Sequence, residues 1–526
     1  MRTLMNRFVI PLGIAMLLLL VALASALGDD SKQRDRADRP ASEAPRERAA
    51  RVPARPHAVL LILDEFPGDA LLDRRGRIDR IRYPNFAALA GDSTWFRNGY
   101  SIYDSTTKAV PLILDGMWPR PGSSPDRRGH PRSVFDMFAR RGYRMLASEE
   151  ASALCPPSMC KGGRTRKPAI LPLLNGGRPE RFNRWVRTVE DGRPTFWMKH
   201  LLLPHGPYVH LPSGARTRRG ARDLLPGMIT VPGFHDEFLT RHNEQRFLLQ
   251  LGYTDRLLGR LLRRLKREGI YDETLIMVVA DHGYLWRSGV ETRRRSLADT
   301  AHELAPVPFF VKRPGQRRGA RSGAYARTLD VPSTMADVLG FPLGYRDDGR
   351  SAFSRAARRV RRVTFPTREF DAVVTVPGRR WKARRREVVR RRLEQFGSGD
   401  LAGLYAGIGP HRGLIGRETG DLARAAAGGA RGTIVKAGLY ARVRRASGVL
   451  PAQIAGHIEA GSAGPRDLAV AVNGRIEAVG RSFRLAGDPT EHFAFMVPED
   501  SLSEGRNDIE VFEVVGEERL RPLARS

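Results

Sequence analysis

Cysteine is almost absent: the chain of 526 residues has two, Cys155 and Cys160, both within "CPPSMC". Two thiols with no histidine beside them argue against a disulfide-dense scaffold and against a thiolate metal site. They read instead as one local disulfide, which suits an oxidising compartment. Lysine is scarce too, so the formal net charge of +32 and the isoelectric point near 11.1 come mainly from arginine, in a chain rich in alanine and glycine. A surplus of that kind follows the overall composition and names no partner, and no nucleic-acid partner is expected. Long apolar runs are also missing, with a single exception at the N-terminus.

That exception is residues 8–27, "FVIPLGIAMLLLLVALASAL", uncharged and preceded by Arg2 and Arg7. Its length suits one membrane-spanning helix. Ala24-Ser25-Ala26 resembles a signal-peptidase site, so residues 1–28 are either an anchor or a cleaved signal peptide. Both readings place the remainder outside the membrane, at the cell surface or secreted. Residues 29–55 are charged, contain proline and lack periodicity, which describes a solvated tether.

Hydrophobic residues make up 41% of the chain, enough for two or three folded domains. Short apolar runs end in polar or turn residues at 58–63, 196–203, 274–280 and 307–311, the pattern of buried strands. Helical periodicity lies between them at 133–141 and, most clearly, at 245–268 with Gly269 as its stop. Strands alternating with helices predict an α/β fold whose mostly parallel sheet is sandwiched by helices. Residues 351–430 are a basic connecting region, with a short amphipathic helix expected at 385–396, read as a solvated face rather than a membrane-surface helix. Residues 431–526 read as a β-rich C-terminal domain with a hairpin at Asn473-Gly474.

The first strand ends in Asp64-Glu65 and the one at 274–280 ends in Asp281-His282. Sites in such sheets form beyond the carboxyl ends of strands, where carboxylates and imidazole together suit a divalent cation. Zn²⁺ or Mn²⁺ fits that mixed donor set, with Ca²⁺ the less suited alternative. "YDSTTKAVPLILDG", residues 103–116, places three hydroxyls before an apolar helix, where such residues ordinarily cap.

"AVLLILDEFPG" (58–68), "WFRNGYSIYDSTTKAVPLILDG" (95–116), "LLLPHGPY" (201–208), "GYTDRLLGRLLRRLKREGIYDETLIMVVADHG" (252–283) and "APVPFFVKRPG" (305–315) resemble, in order and spacing, the sulfatase-like branch of the alkaline phosphatase superfamily. The resemblance covers residues 56–350 and implies a catalytic domain of that fold. It implies that Asp64, Asp281 and His282 are metal ligands, with Glu65 a further one. Its nucleophile position falls on Thr106. His205 would lie near the anionic group under attack as a donor or proton carrier. Lys108 and His302 are candidate substrate-binding groups.

The departures bear on the chemistry. Sulfatases proper form formylglycine from Cys or Ser in a C/S-x-P-x-R pattern, whereas here Thr106 is followed by "TKAV". Threonine carries a methyl group on its β-carbon, so its oxidation would give a ketone rather than an aldehyde. A threonine nucleophile is similar to that of the phosphotransferase members, the lipoteichoic acid synthases and phosphoethanolamine transferases. The resemblance therefore implies an exported, metal-dependent hydrolase or phosphotransferase acting on phosphoesters. The alternatives are an envelope sulfatase with another nucleophile, and an inactive envelope protein that binds anionic polymers or lipids through its basic surface.

Overall fold

The computed structural model describes residues 55–217, 236–290 and 298–525, apart from 427, 429, 460–463, 486–487 and 517. The apolar segment 8–27 and the tether up to residue 54 lie outside the described residues. Among the described residues, no helix is long and apolar enough to cross a membrane.

Seven strands form the central sheet: β1 (Ala58–Asp64), β2 (Thr94–Phe96), β3 (Arg144–Ser148), β4 (Thr195–Pro204), β5 (Leu275–Ala280), β6 (Phe309–Lys312) and β7 (Ala320–Ser322). Their order is β3-β4-β1-β5-β6-β2-β7. β3, β4, β1 and β5 are parallel neighbours, while β6 pairs antiparallel with both β5 and β2. β1, β4 and β5 are buried along their whole length. The continuous apolar runs of β1 and β5, and the largely apolar β4 with Lys199 and His200 buried within it, reflect cover on both faces of the sheet.

The two faces are visible in β1 itself. Val59, Leu61 and Leu63 join one apolar cluster with Leu248, Leu251 and Leu258 of the helix Glu237–Arg267. Ala58, Leu60 and Ile62 join another with Val110 and Ile113 of the helix Thr106–Asp115. Alternation with a period of two sends successive side chains into different layers, which is the α/β sandwich expected from the sequence.

The long helix begins at Glu237, eight positions earlier than its leucine periodicity suggests. Asp236 caps it by accepting from the Leu239 amide at 2.8 Å, and Gly269 ends it in the left-handed region at φ 72°. The extra turns carry buried polar residues, among them His242, Asn243 and Glu244, so apolar spacing did not reveal them. The basic helix likewise starts early and spans Gly378–Phe396. It is tied to the loop that follows β1: Arg385 holds both carboxylate oxygens of Asp69 at 2.7 and 2.8 Å, and Arg392 donates to the carbonyls of Asp69 and Leu72.

The C-terminal part holds a four-stranded antiparallel sheet and a five-stranded sheet that is antiparallel except for one edge pair. In the first, Val472 pairs with Arg475 across a two-residue turn whose Asn473 and Gly474 have φ of 52° and 86°. Asn-Gly supplies the two positive φ values that such a hairpin requires. Cys155 and Cys160 form the expected disulfide.

Candidate functional site

Because β4, β1 and β5 are parallel neighbours, their carboxyl ends meet at one edge of the sheet. Leu63 stands opposite Ala280, and Asp64 opposite Pro204 after a register shift. Asp64, Glu65, His205, Asp281 and His282 therefore emerge side by side. Glu65 is a non-glycine residue at φ 57°, a conformation that costs roughly 1–3 kcal/mol and turns the chain sharply off β1. Its amide donates to Asp281 Oδ1 at 2.9 Å, and the Phe66 amide donates to the His282 carbonyl at 2.7 Å. The two strand ends thus fix each other.

Thr106 reaches the same edge from the other side. The segment before it is held by hydrogen bonds between Tyr100 and both Ala326 and Thr328, and by the Ser101 amide on the Ala305 carbonyl. The Ser101 hydroxyl also donates to the Asp281 carbonyl. Thr106 is the first residue of its helix and is buried, with Ser105 before it in extended geometry. Ser105 caps through its carbonyl, which accepts from Lys108 and Ala109, and its hydroxyl makes no capping bond. At the far end Gly116 sits at φ 74°, and a Cβ there would come within 2.6 Å of the Asp347 carboxylate.

Thr106 Oγ1 lies 3.4 Å from Asp64 Oδ1 and 3.3 Å from His282 Nε2. His282 Nδ1 is 2.8 Å from the Gly283 carbonyl, which can only accept, so the neutral ring carries its proton there and presents a lone pair at Nε2. The same Nε2 is 3.4 Å from Asp281 Oδ2. Asp281 Oδ1 is occupied by the amides of Glu65 and His282, which leaves Oδ2 facing inward.

The structure adds His200, a residue that the sequence had hidden inside an apolar strand. Its Nε2 is 3.7 Å from Asp64 Oδ2, and ligand atoms of Asp64, His200 and Asp281 all lie within 4.8 Å of one another. His200 is fully buried, and burial lowers its pKa to about 4, so the imidazole is neutral at physiological pH. Neither ring nitrogen, nor Asp281 Oδ2, finds a hydrogen-bond partner among the described residues. Buried polar atoms without partners are costly, and two carboxylates with an imidazole are donors for a divalent cation. Of the four ligands implied by the resemblance, Asp64 and Asp281 belong to this set and Glu65 and His282 do not; its donor types suit a divalent cation and select no particular ion.

His205 stands beside Glu65, with its Nε2 3.5 Å from Glu65 Oε2 and its Nδ1 2.6 Å from the Gly206 carbonyl. Two buried residues that the sequence did not single out hold its loop. Arg178 donates to the carbonyls of Leu202, His205 and Pro207, and Gln250 Nε2 donates to those of Pro204 and His205. Complete burial lowers the Arg178 pKa to about 9. Lys108 Nζ donates to the carbonyls of Arg120 and Ser123. His302 lies beside Arg287, 3.2 Å away, and Glu303, and burial lowers its pKa to about 4.

Residues 179–341 match the model of the sulfatase family. The chain is similar to the ulvan-active sulfatase of Formosa agariphila, 21% identical over an alignment 327 residues long that covers 56% of this chain and 62% of that one. It is also similar to the choline-sulfatase of Rhizobium meliloti, 21% identical over 55% of this chain and 68% of that one. The chain belongs to the sulfatase/alkaline phosphatase-like superfamily. The chain thus spans less than two thirds of the length of the ulvan-active sulfatase. Among solved structures, the phosphonate monoester hydrolase of Agrobacterium radiobacter aligns over 59% of this chain and 80% of its own, at 15% identity and a TM-score of 0.43.

Proposed function

We propose that this superfamily member is a metal-dependent ester hydrolase that uses the Thr106 hydroxyl to attack a tetrahedral oxyanion ester. The observation that carries the reading is the placement of Thr106 Oγ1 within 3.4 Å of both Asp64 Oδ1 and His282 Nε2. Asp64, His200 and Asp281 would hold the cation. When bound, the cation supplies positive charge that lowers the pKa of a nearby hydroxyl and stabilises oxyanion charge.

The chain's own residues supply the remainder. A threonine hydroxyl is a poor nucleophile until a neighbouring group takes its proton. His282 Nε2 and Asp64 Oδ1 are the acceptors within reach. Attack forms a bond from Oγ1 to the central sulfur or phosphorus atom and breaks that atom's bond to the ester oxygen. The departing alkoxide takes a proton, for which His205 in its imidazolium form, with Nε2 beside Glu65, is the proposed donor. Water then cleaves the threonine ester: its hydroxyl goes to the sulfur or phosphorus atom, its proton returns to His205, and the proton first taken from Thr106 restores the hydroxyl.

Both sulfatase relatives support a sulfate ester as substrate, ahead of the phosphoester and phosphotransferase chemistry that the sequence placed first. A phosphoester remains the second reading on one observation, the threonine at position 106, which cannot be converted into formylglycine. Export rests on residues 8–27 and on the disulfide, with an anchor and a cleaved signal as the two forms. The test is turnover of an aryl sulfate, an aryl phosphate and a phosphodiester by the purified protein, with and without Zn²⁺, Mn²⁺ or Ca²⁺. Hydrolysis of any of these, lost in Thr106→Ala, supports the reading. A metal-replete protein that turns over none supports the inactive, polymer-binding alternative.

A further inference from the structure

The basic helix Gly378–Phe396 does not lie flat on the catalytic layer. Between it, the loop after β1 and the end of β2 is a cavity of about 820 Å³, within the size range of small-ligand sites. Its wall carries many cations, and the acidic groups in it are already engaged. Asp69 is held by Arg385, Asp73 pairs with Arg77, and Glu394 pairs with Arg390. Arg74, Arg75, Arg97, Lys382 and Arg386 line the same space, and none makes an ion pair with a described acidic residue. Two of them sit over rings instead, Arg97 over Trp95 and Lys382 over Tyr325.

Like charges held together around a concave surface raise each other's free energy, and a multivalent anion relieves that cost. Burial lowers the pKa values of Arg97 and Lys382, and the neighbouring arginines lower them further. Guanidinium groups bind sulfate and phosphate oxygens in pairs, and Leu72 and Val389 give the cavity an apolar floor for a carbon skeleton.

We propose that this cavity binds a small polyanion carrying two or more sulfate or phosphate groups, at a site formed separately from the Thr106 centre. The two are built from different residues, so the proposal stands whether or not the ester chemistry above is correct.

Calorimetric titration of the full chain with sucrose octasulfate and with inositol hexakisphosphate tests it, and the tighter of the two identifies the group preferred. The triple variant Arg97→Gln, Lys382→Gln, Arg386→Gln is expected to weaken binding about tenfold or more. A control that removes the same charge from exposed helix positions, Arg187→Gln, Arg263→Gln, Arg267→Gln, is expected to change it less than about twofold. Arg97 is half-buried, so the double variant Lys382→Gln, Arg386→Gln guards against misfolding and is expected to weaken binding about threefold. The proposal is overturned if neither probe binds, if both triples weaken binding equally, or if the cavity variants retain wild-type affinity.

Discussion

Thr106 Oγ1 lies 3.4 Å from Asp64 Oδ1, although 42 positions separate the two in sequence. The other oxygen of Asp64 faces His200 at 3.7 Å. One carboxylate thus touches both the Thr106 hydroxyl, the proposed nucleophile, and His200, its neighbour in the donor set proposed for a metal, so under that proposal occupation of the set would bear on the chemistry of position 106.

The first prediction concerns that donor set. His200→Ala and Asp281→Asn should each weaken divalent-metal binding about a hundredfold and abolish the rise in melting temperature on adding metal. Elemental analysis together with thermal melts in chelator and in added Zn²⁺, Mn²⁺ or Ca²⁺ checks this. Wild-type metal content in both variants would place the ion elsewhere.

Arg178 should act as a positioning residue. Its planar fork satisfies three carbonyls around His205, and a lysine, with a single ammonium on a flexible stem, cannot match it. Arg178→Lys is expected to cost about 1–3 kcal/mol of stability and to lower kcat more than it raises KM. A purely structural role would leave kcat unchanged in the fraction that remains folded.

Asp255 gives a pH dependence whose sign can be worked out. It accepts from Asn85 and Phe86 at the start of the helix Pro84–Asp92, yet burial outweighs those bonds and raises its pKa from 3.8 to about 6. The folded state therefore binds this proton more tightly than the unfolded chain does. The resulting stability is fully present below pH 3.8 and is lost as pH rises through about 6, by roughly 3 kcal/mol at most. Asp255→Asn should remove this component, so the difference between variant and wild-type unfolding free energies changes across that window. A difference independent of pH would contradict the assignment.

Replacing both Cys155 and Cys160 by serine should lower stability by about 2 kcal/mol, as expected for closing a short loop. Urea midpoints measured for the variant and for the reduced wild type check this. Metal content should be unaffected, because neither sulfur belongs to the donor set.

The legible parts of this protein were those with a local signature. β1 and β5 are continuous apolar runs, and Asp64-Glu65 and Asp281-His282 stand out as the polar residues that end them, while β4 is apolar apart from Thr195, Lys199 and His200. Thr106 was reached by register with a resembling family, which no rule of periodicity supplies. His200 is hidden because it follows Lys199 in the middle of a mostly apolar strand, and only the parallel pairing of Ile62 with His200 brings it beside Asp64. Arg178 and Gln250 lie on helices distant in sequence, and their roles exist only once the loop at His205 is folded. The first turns of the long helix were missed for the opposite reason: they bury polar side chains, so apolar spacing fails where the helix meets other layers.

The most direct test of the central claim is a rapid-quench experiment on the ester that the metal-replete protein turns over fastest, followed by proteolysis and high-resolution mass spectrometry of the peptide containing Thr106. One sulfuryl or phosphoryl group is expected on Thr106 in the wild type, with a loss of turnover of roughly a thousandfold or more in a folded Thr106→Ala variant. Wild-type turnover by Thr106→Ala, or a label on another residue, would contradict that claim.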